Sequence, residues 1–249
     1  GVQSRNQMVL DLSRDEVCEY VINAVSDILA NANIEYVKWD MNRQLTDMPR
    51  LGYNHEYTLG YYKIMSAITE KFPNILFEGC SSGGGRFDAG VLAYMPQIWT
   101  SDNSDAIARL KMQYSTSMCY PVYSISSHVT ASPNHQCGRV TSLKTRADVA
   151  YCGTFGYELD VTKMSDEEFE EIKAQIKFEK RIQDLMCNGD LYRLINPYEA
   201  NYCSWEVVSK DKKHIFVMAC KMLAVAQTKS EKVKLQGLDT NKQYRNISN

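Results

Sequence analysis

From Gln7 to Gly153 short apolar runs alternate with longer amphipathic stretches of helical period, and this alternation restricts the chain more than any other feature. Strands separated by about a dozen or more helical residues cannot pair as hairpins and are joined as parallel neighbours by crossover helices. The strand candidates are Gln7 to Leu12, Ile34 to Trp39, Ile75 to Gly79, Pro96 to Thr100, Pro121 to Ile125 and Val149 to Gly153. The first helix opens on a capping box, Ser13 with Glu16, followed by Val17, Val21, Ala24, Ile28 and Leu29 at helical spacing. Ser165 and Glu168 repeat the device ahead of a stripe of Phe169, Ile172, Ile176, Leu185 and Met186, and "CNGD" at 187 to 190 reads as a turn.

The texture changes at Asn196. "YCSWEVVS", "HIFVMAC", "KMLAVAQ" and "EKVKLQGL" are short strand-like runs with turn residues between them, so residues 196–249 read as the beginning of an all-β domain after an α/β region over 1–190. The six candidate parallel strands are too few for a closed eight-stranded barrel, although 249 residues is a barrel-like length. Either the first two barrel strands lie upstream of Gly1 or the sheet is open and doubly wound, and periodicity fits both. The opening "GVQSRNQMVLDLS" has no initiator Met, basic start or apolar h-region, and "GLDTNKQYRNISN" lacks a closing element, so a longer parent chain is expected on both sides. A piece with an unpaired sheet edge is expected to be poorly stable alone.

Composition excludes several classes of function. A formal net charge of -2 with scattered Lys and Arg gives no basic stripe for nucleic acid. No run approaches the roughly 18 apolar residues of a membrane-spanning helix. The eight cysteines form no CxxC pair and read as reduced thiols of a cytoplasmic protein. The four histidines include no HExxH pair, so no metal site is indicated.

In either fold the functional edge is the carboxyl end of the strands, and unusual polar residues gather there. Lys38, Asp40 and Asn42 close the second candidate, "EGCSSGGGR" follows the third, "WTSDNSD" the fourth and "SSH" the fifth. Ser101, Asn103 and Ser104 fit helix caps equally well. Lys38 and Asp40, two apart on a strand, share one face, which a cap does not require. The glycines at 83 to 85 match neither phosphate-binding pattern and read as a place where backbone approaches a ligand. Cys80 as a nucleophile, with His128 or His135 as base, is the weaker reading beside a packing role. Trp99 fits either a core or the apolar face of a sugar ring. Asp40 and Asp102, at the ends of separate strands beside a lysine, a tryptophan and a glycine-rich loop, form the pair that glycoside hydrolysis needs: one carboxyl attacks while the other gives its proton to the leaving oxygen. The charge of Lys38 is expected to favour the ionised form of Asp40.

In order, "YVKWDMNR", "EGCSSGGGRFD", "WTSDNSDA" and "SSHVTASPNHQ" resemble the α-galactosidases of glycoside hydrolase family 36 over nearly the whole chain. The resemblance implies a partial (β/α)8 TIM barrel, strands three to eight, followed by a truncated all-β C-terminal domain. It implies release of terminal α-linked galactose from sugars such as melibiose and raffinose, with retention and without a cofactor. Asp40 takes the place of the nucleophile and Asp102 that of the general acid/base. Lys38, Cys80, Gly83, Trp99 and Arg5 fall on positions lining the galactose site, and Ser82 stands where relatives often carry glycine. The expected partner is a small α-galactoside, and the full-length protein is expected to be a homo-oligomer. Transfer of galactose to sugar acceptors, action on α-N-acetylgalactosaminides, and a degenerate galactose-binding protein are the alternatives.

Overall fold

The computed structural model describes residues 3, 6–226 and 231–247. Two compact units divide it, residues 1–102 and 103–249. In the first, helix α1 (Asp15–Asn31) precedes strand β1 (Tyr36–Trp39), helix α2 (Tyr53–Lys71) crosses over to β2 (Leu76–Gly79), and β3 (Gln97–Ile98) follows. The three strands form one parallel sheet in the order β1-β2-β3, with Lys38 opposite Glu78 and Glu78 opposite Gln97. Strand alternation sorts the side chains of β1. Val37 and Trp39 pack with the core of Tyr61, Ile64, Met65, Ile68, Phe77 and Ile98, whereas Tyr36, Lys38 and Asp40 face outward from it.

The second unit holds α3 (Ala106–Thr116), β4 (Ser126–Thr130), α4 (Leu143–Ala150), β5 (Thr154–Glu158) and the long α5 (Asp166–Asn188). Strands β4 and β5 are parallel. An antiparallel sheet, β6 (Asp190–Ile195), β7 (Tyr202–Val208) and β8 (Ile215–Lys221), completes it, so the antiparallel strands begin at Asp190, ahead of the change of texture at Asn196. Trp205 stacks on Tyr114 with ring centroids 6.4 Å apart, in a core shared by α3, α4, α5 and the antiparallel sheet. The capping box at Ser165 and Glu168 forms as read: the Ser165 hydroxyl accepts from the Glu168 amide, and the Glu168 carboxylate accepts from the Ser165 amide at 3.0 Å.

Four local expectations are corrected. Residues 8–11 carry no strand ladder among the described residues, because a strand exists only through hydrogen bonds to a neighbour. Residues 122–124, within Pro121 to Ile125, form a 3-10 turn, and the strand begins at Ser126. Val149 and Ala150 end α4, whose cap is Ser142, and β5 starts at Thr154; a short apolar run fits a buried helix as well as a strand. At α1 no capping box forms. The Ser13 hydroxyl donates to Asp11 at 2.6 Å, Glu16 pairs with Arg14, and Arg14 occupies the N-cap without a side-chain cap bond. No described helix is long and apolar enough to cross a membrane.

Candidate active site

Six side-chain positions in the first unit form two rows across the carboxyl ends of β1, β2 and β3. The lower row is the register set Lys38, Glu78 and Gln97. Two residues further along each strand the upper row is Asp40, Cys80 and Trp99, because side chains at i and i+2 share a face. Backbone pairing continues past the regular strands: the Cys80 amide donates to the Trp39 carbonyl at 2.9 Å, Met41 to Cys80 at 3.2 Å, and Trp99 to Gly79 at 2.8 Å. Arg86 fastens the same level, donating to the carbonyls of Cys80 at 2.6 Å and Trp39 at 3.2 Å while its guanidinium lies 4.7 Å from the Tyr61 ring centre.

Asp40 is exposed and well supplied with donors. Asn42 Nδ2 donates to its Oδ2 at 2.7 Å. Partial burial pushes its carboxyl upward, but hydrogen bonds from Asn42, the Cys80 thiol and the Met41 amide, with the charge of Lys38 behind them, bring it below the usual aspartate value. The ionised Asp40 expected from Lys38 is therefore favoured chiefly by its donors. Cys80 is buried, which pushes its thiol up to about 11, and its bond to Asp40 acts in the same direction. A thiol so placed serves as a donor to Asp40 and is a poor nucleophile. His128 is held on β4, its Nδ1 3.2 Å from Glu158 Oε2.

The glycine-rich loop links the two carboxylates. From the Asp40 side, Asn42 accepts from the Ser82 hydroxyl at 3.2 Å and Ser81 Oγ donates to the Met41 carbonyl at 2.9 Å. From the Asp102 side, Gly84 donates to the Thr100 carbonyl at 3.1 Å. Gly83, at φ +89°, comes so near the next strand's exit that a Cβ there would lie 2.8 Å from Ser101 Cα and 3.3 Å from the Asp102 nitrogen. Backbone this close explains the glycine directly. Ser82 takes φ 45°, in the left-handed region that a glycine fills without strain.

Asp102 is exposed and oriented by Trp99, whose Nε1 donates to Oδ1 at 3.1 Å. Trp99 itself is buried, and the Lys38 ammonium sits 5.0 Å from its ring centre. Asp40 and Asp102 thus stand at the exits of the outer strands of one sheet, joined through Asn42, Ser82, Gly83 and Ser101 along the loop and flanked by Lys38 and Trp99. Further on, Asp105 fills the cap role, accepting from the Ala108 amide at 3.0 Å, and Asn103 accepts from the Asp105 amide at 3.1 Å. Arg5 lies outside the described residues.

One participant escaped the sequence reading. Glu78 is 1% exposed, its Oε1 is 3.7 Å from Lys38 Nζ, and its Oε2 accepts from Gln97 Nε2 at 3.1 Å and from the Tyr36 hydroxyl. The signal was present. A glutamate inside "ILFEGC" is as anomalous as the lysine inside "YVKWD", and parallel register makes them neighbours.

Comparison with known proteins adds a second line. The melibiase family model matches residues 1–189, and that of the glycosyl hydrolase family 36 C-terminal domain matches residues 202–249. The chain is 49% identical to the alpha-galactosidase AgaA of Geobacillus stearothermophilus, over 97% of this chain and 34% of that protein. It is 46% identical to the alpha-galactosidase Mel36A of Lactobacillus acidophilus, over 98% and 34% respectively. The crystal structure of a variant of the GH36 alpha-galactosidase AgaA in complex with raffinose matches with a TM-score of 0.93 at 49% identity, covering 96% of this chain and 34% of that one. The chain spans about a third of the length of these relatives.

Proposed function

This chain belongs to the melibiase family and has the architecture of the later part of a (β/α)8 barrel followed by a C-terminal β domain, and on that premise we propose that the full-length protein is a retaining α-galactosidase. The observation that carries the proposal is the placement of Asp40 and Asp102 at the exits of β1 and β3, in one sheet and on the two sides of one glycine-rich loop. The substrate class is a terminal α-linked galactose, as in melibiose or raffinose.

Asp40, ionised, attacks the anomeric carbon as the Asp102 carboxyl gives its proton to the departing glycosidic oxygen. The C–O bond to the leaving sugar breaks and a covalent galactosyl-enzyme forms. Asp102, now a carboxylate, takes a proton from water, whose oxygen attacks the same carbon and displaces Asp40. Two inversions give net retention, a course that needs carboxyl groups about 5 to 5.5 Å apart. Trp99 orients Asp102 and steadies the Lys38 ammonium at the edge of the sugar site, Lys38 donates to a galactose hydroxyl, Cys80 keeps Asp40 in place, and the bare backbone at Gly83 lets the ring approach. Arg5 is assigned to the site by family resemblance.

Proton NMR of melibiose hydrolysis by the full-length protein is the test. The α anomer of galactose is expected first. The β anomer appearing first overturns the double displacement, and galactose binding without any release overturns the enzyme reading in favour of a binding protein.

A further inference from the structure

We infer that Glu78 is a positioning residue of the galactose site, holding the Lys38 ammonium over the Trp99 ring so that it is aimed before the sugar arrives. The inference deepens the α-galactosidase reading and rests on it for the role of Lys38.

A glutamate 1% exposed in the middle strand of a three-stranded sheet is costly to keep as a carboxylate unless its oxygens are occupied. One of them is: Oε2 takes two donors, Gln97 Nε2 and the Tyr36 hydroxyl, from the strands on either side. Oε1 accepts no hydrogen bond and is compensated by the ion pair with Lys38 Nζ at 3.7 Å. The carboxylate is therefore fixed by β1 and β3 together, with Oε1 turned toward the lysine. Lys38 needs such an anchor. Its side chain is 35% exposed, and a four-carbon stem at a site open to solvent loses rotamer freedom whenever it binds in one geometry. Glu78 on one side and the Trp99 face at 5.0 Å on the other restrict the ammonium to one place. Ordering it in advance moves that entropic cost from binding to folding.

A buried ion pair serving the sheet alone would have the same contacts, so the test must read the link to Lys38. In the full-length protein a double-mutant cycle is built from Glu78→Gln and Lys38→Met, read by kcat and KM on an aryl α-galactoside and by calorimetric affinity for galactose. Glu78→Gln is expected to raise KM about tenfold with little change in kcat, since an interaction made equally in ground and transition states appears in KM. In the Lys38→Met background the same change is expected to shift KM and galactose affinity less than about twofold. Equal effects in both backgrounds overturn the inference. If Glu78→Gln does not fold, Tyr36→Phe, which removes one donor from the carboxylate at an exposed position, replaces it in the cycle, with about a threefold rise expected only when Lys38 is present. A wild-type protein that binds galactose but releases none overturns the catalytic reading, while the affinity cycle still decides the role of Glu78. Absence of galactose binding in the wild type overturns both.

Discussion

The indole Nε1 of Trp99 donates to Oδ1 of Asp102 at 3.1 Å, while the face of the same ring lies 5.0 Å from the Lys38 ammonium. One side chain therefore orients the proposed acid with its edge and the proposed sugar-binding lysine with its face. Trp99→Phe keeps the face and removes the donor. Hydrolysis of raffinose is expected to fall about tenfold or more, and that of an aryl galactoside with a good leaving group much less, because only the poor leaving group depends on an aligned acid. Steady-state kinetics on the two substrates check this, and equal losses would remove the acid role from Asp102.

Replacing Asp40 by glycine is expected to abolish turnover of α-galactosides. Added azide should then restore part of the activity on an aryl substrate, with a galactosyl azide as product, because a small anion can occupy the cleared space and attack the anomeric carbon. Product analysis by NMR checks it; loss without azide adduct speaks against a covalent intermediate.

Asp40 titrates below the ordinary aspartate value because donors outweigh its partial burial. Its ionised form favours the fold above the ordinary value of about 3.9, and that contribution disappears as pH falls through the lower, folded value. Activity follows the same sign: the acid limb of kcat/KM is expected below about pH 4 in the wild type. Asn42→Ala deletes the 2.7 Å donor and is expected to move that limb upward, as read from the pH profile.

Two glycines with positive φ separate backbone strain from crowding. Gly138, at φ +69°, has nothing within 4 Å of a prospective Cβ, so Gly138→Ala is expected to cost about 1 kcal/mol. Gly83→Ala adds the 2.8 Å approach to Ser101 Cα, so its cost is expected to reach about 2 to 3 kcal/mol, and displacement of Asp102 should lower kcat as well. Melting curves and kinetics on both variants check the difference.

The two serine caps read alike in sequence behave differently in the fold. Ser165→Ala is expected to cost about 1 kcal/mol and to speed amide exchange at Glu168 roughly fivefold. Ser13→Ala should leave exchange in the first turn of α1 unchanged, since Ser13 is spent on Asp11. Hydrogen exchange read residue by residue checks both.

Much of the candidate site was legible because parallel α/β folds collect function at strand exits and because Asp40, Asp102, Gly83 and Trp99 sit in runs where polar or bare positions are out of place. Glu78 was overlooked although its anomaly equals that of Lys38. A charge inside a strand has meaning only with its register, and register joins residues separated by a whole crossover helix. Boundaries failed where local signals were degenerate: the apolar stretch around Val149 suits helix or strand, and Ser13 has a nearby aspartate competing for its hydroxyl.

The order of residues by itself determined the parallel strand and helix alternation, the face shared by Lys38 and Asp40, and the candidates at each strand exit, since side-chain period and turn chemistry are local. Tertiary structure alone decided that Lys38 meets Glu78, that Gly83 lies against Ser101, and that Asp40 draws its low titration from Asn42 and Cys80 more than from Lys38. Apart from the local Asn42 bond these are contacts across neighbouring strands, and their distances, which set the strength of hydrogen bonds and charges, exist only once the sheet has formed.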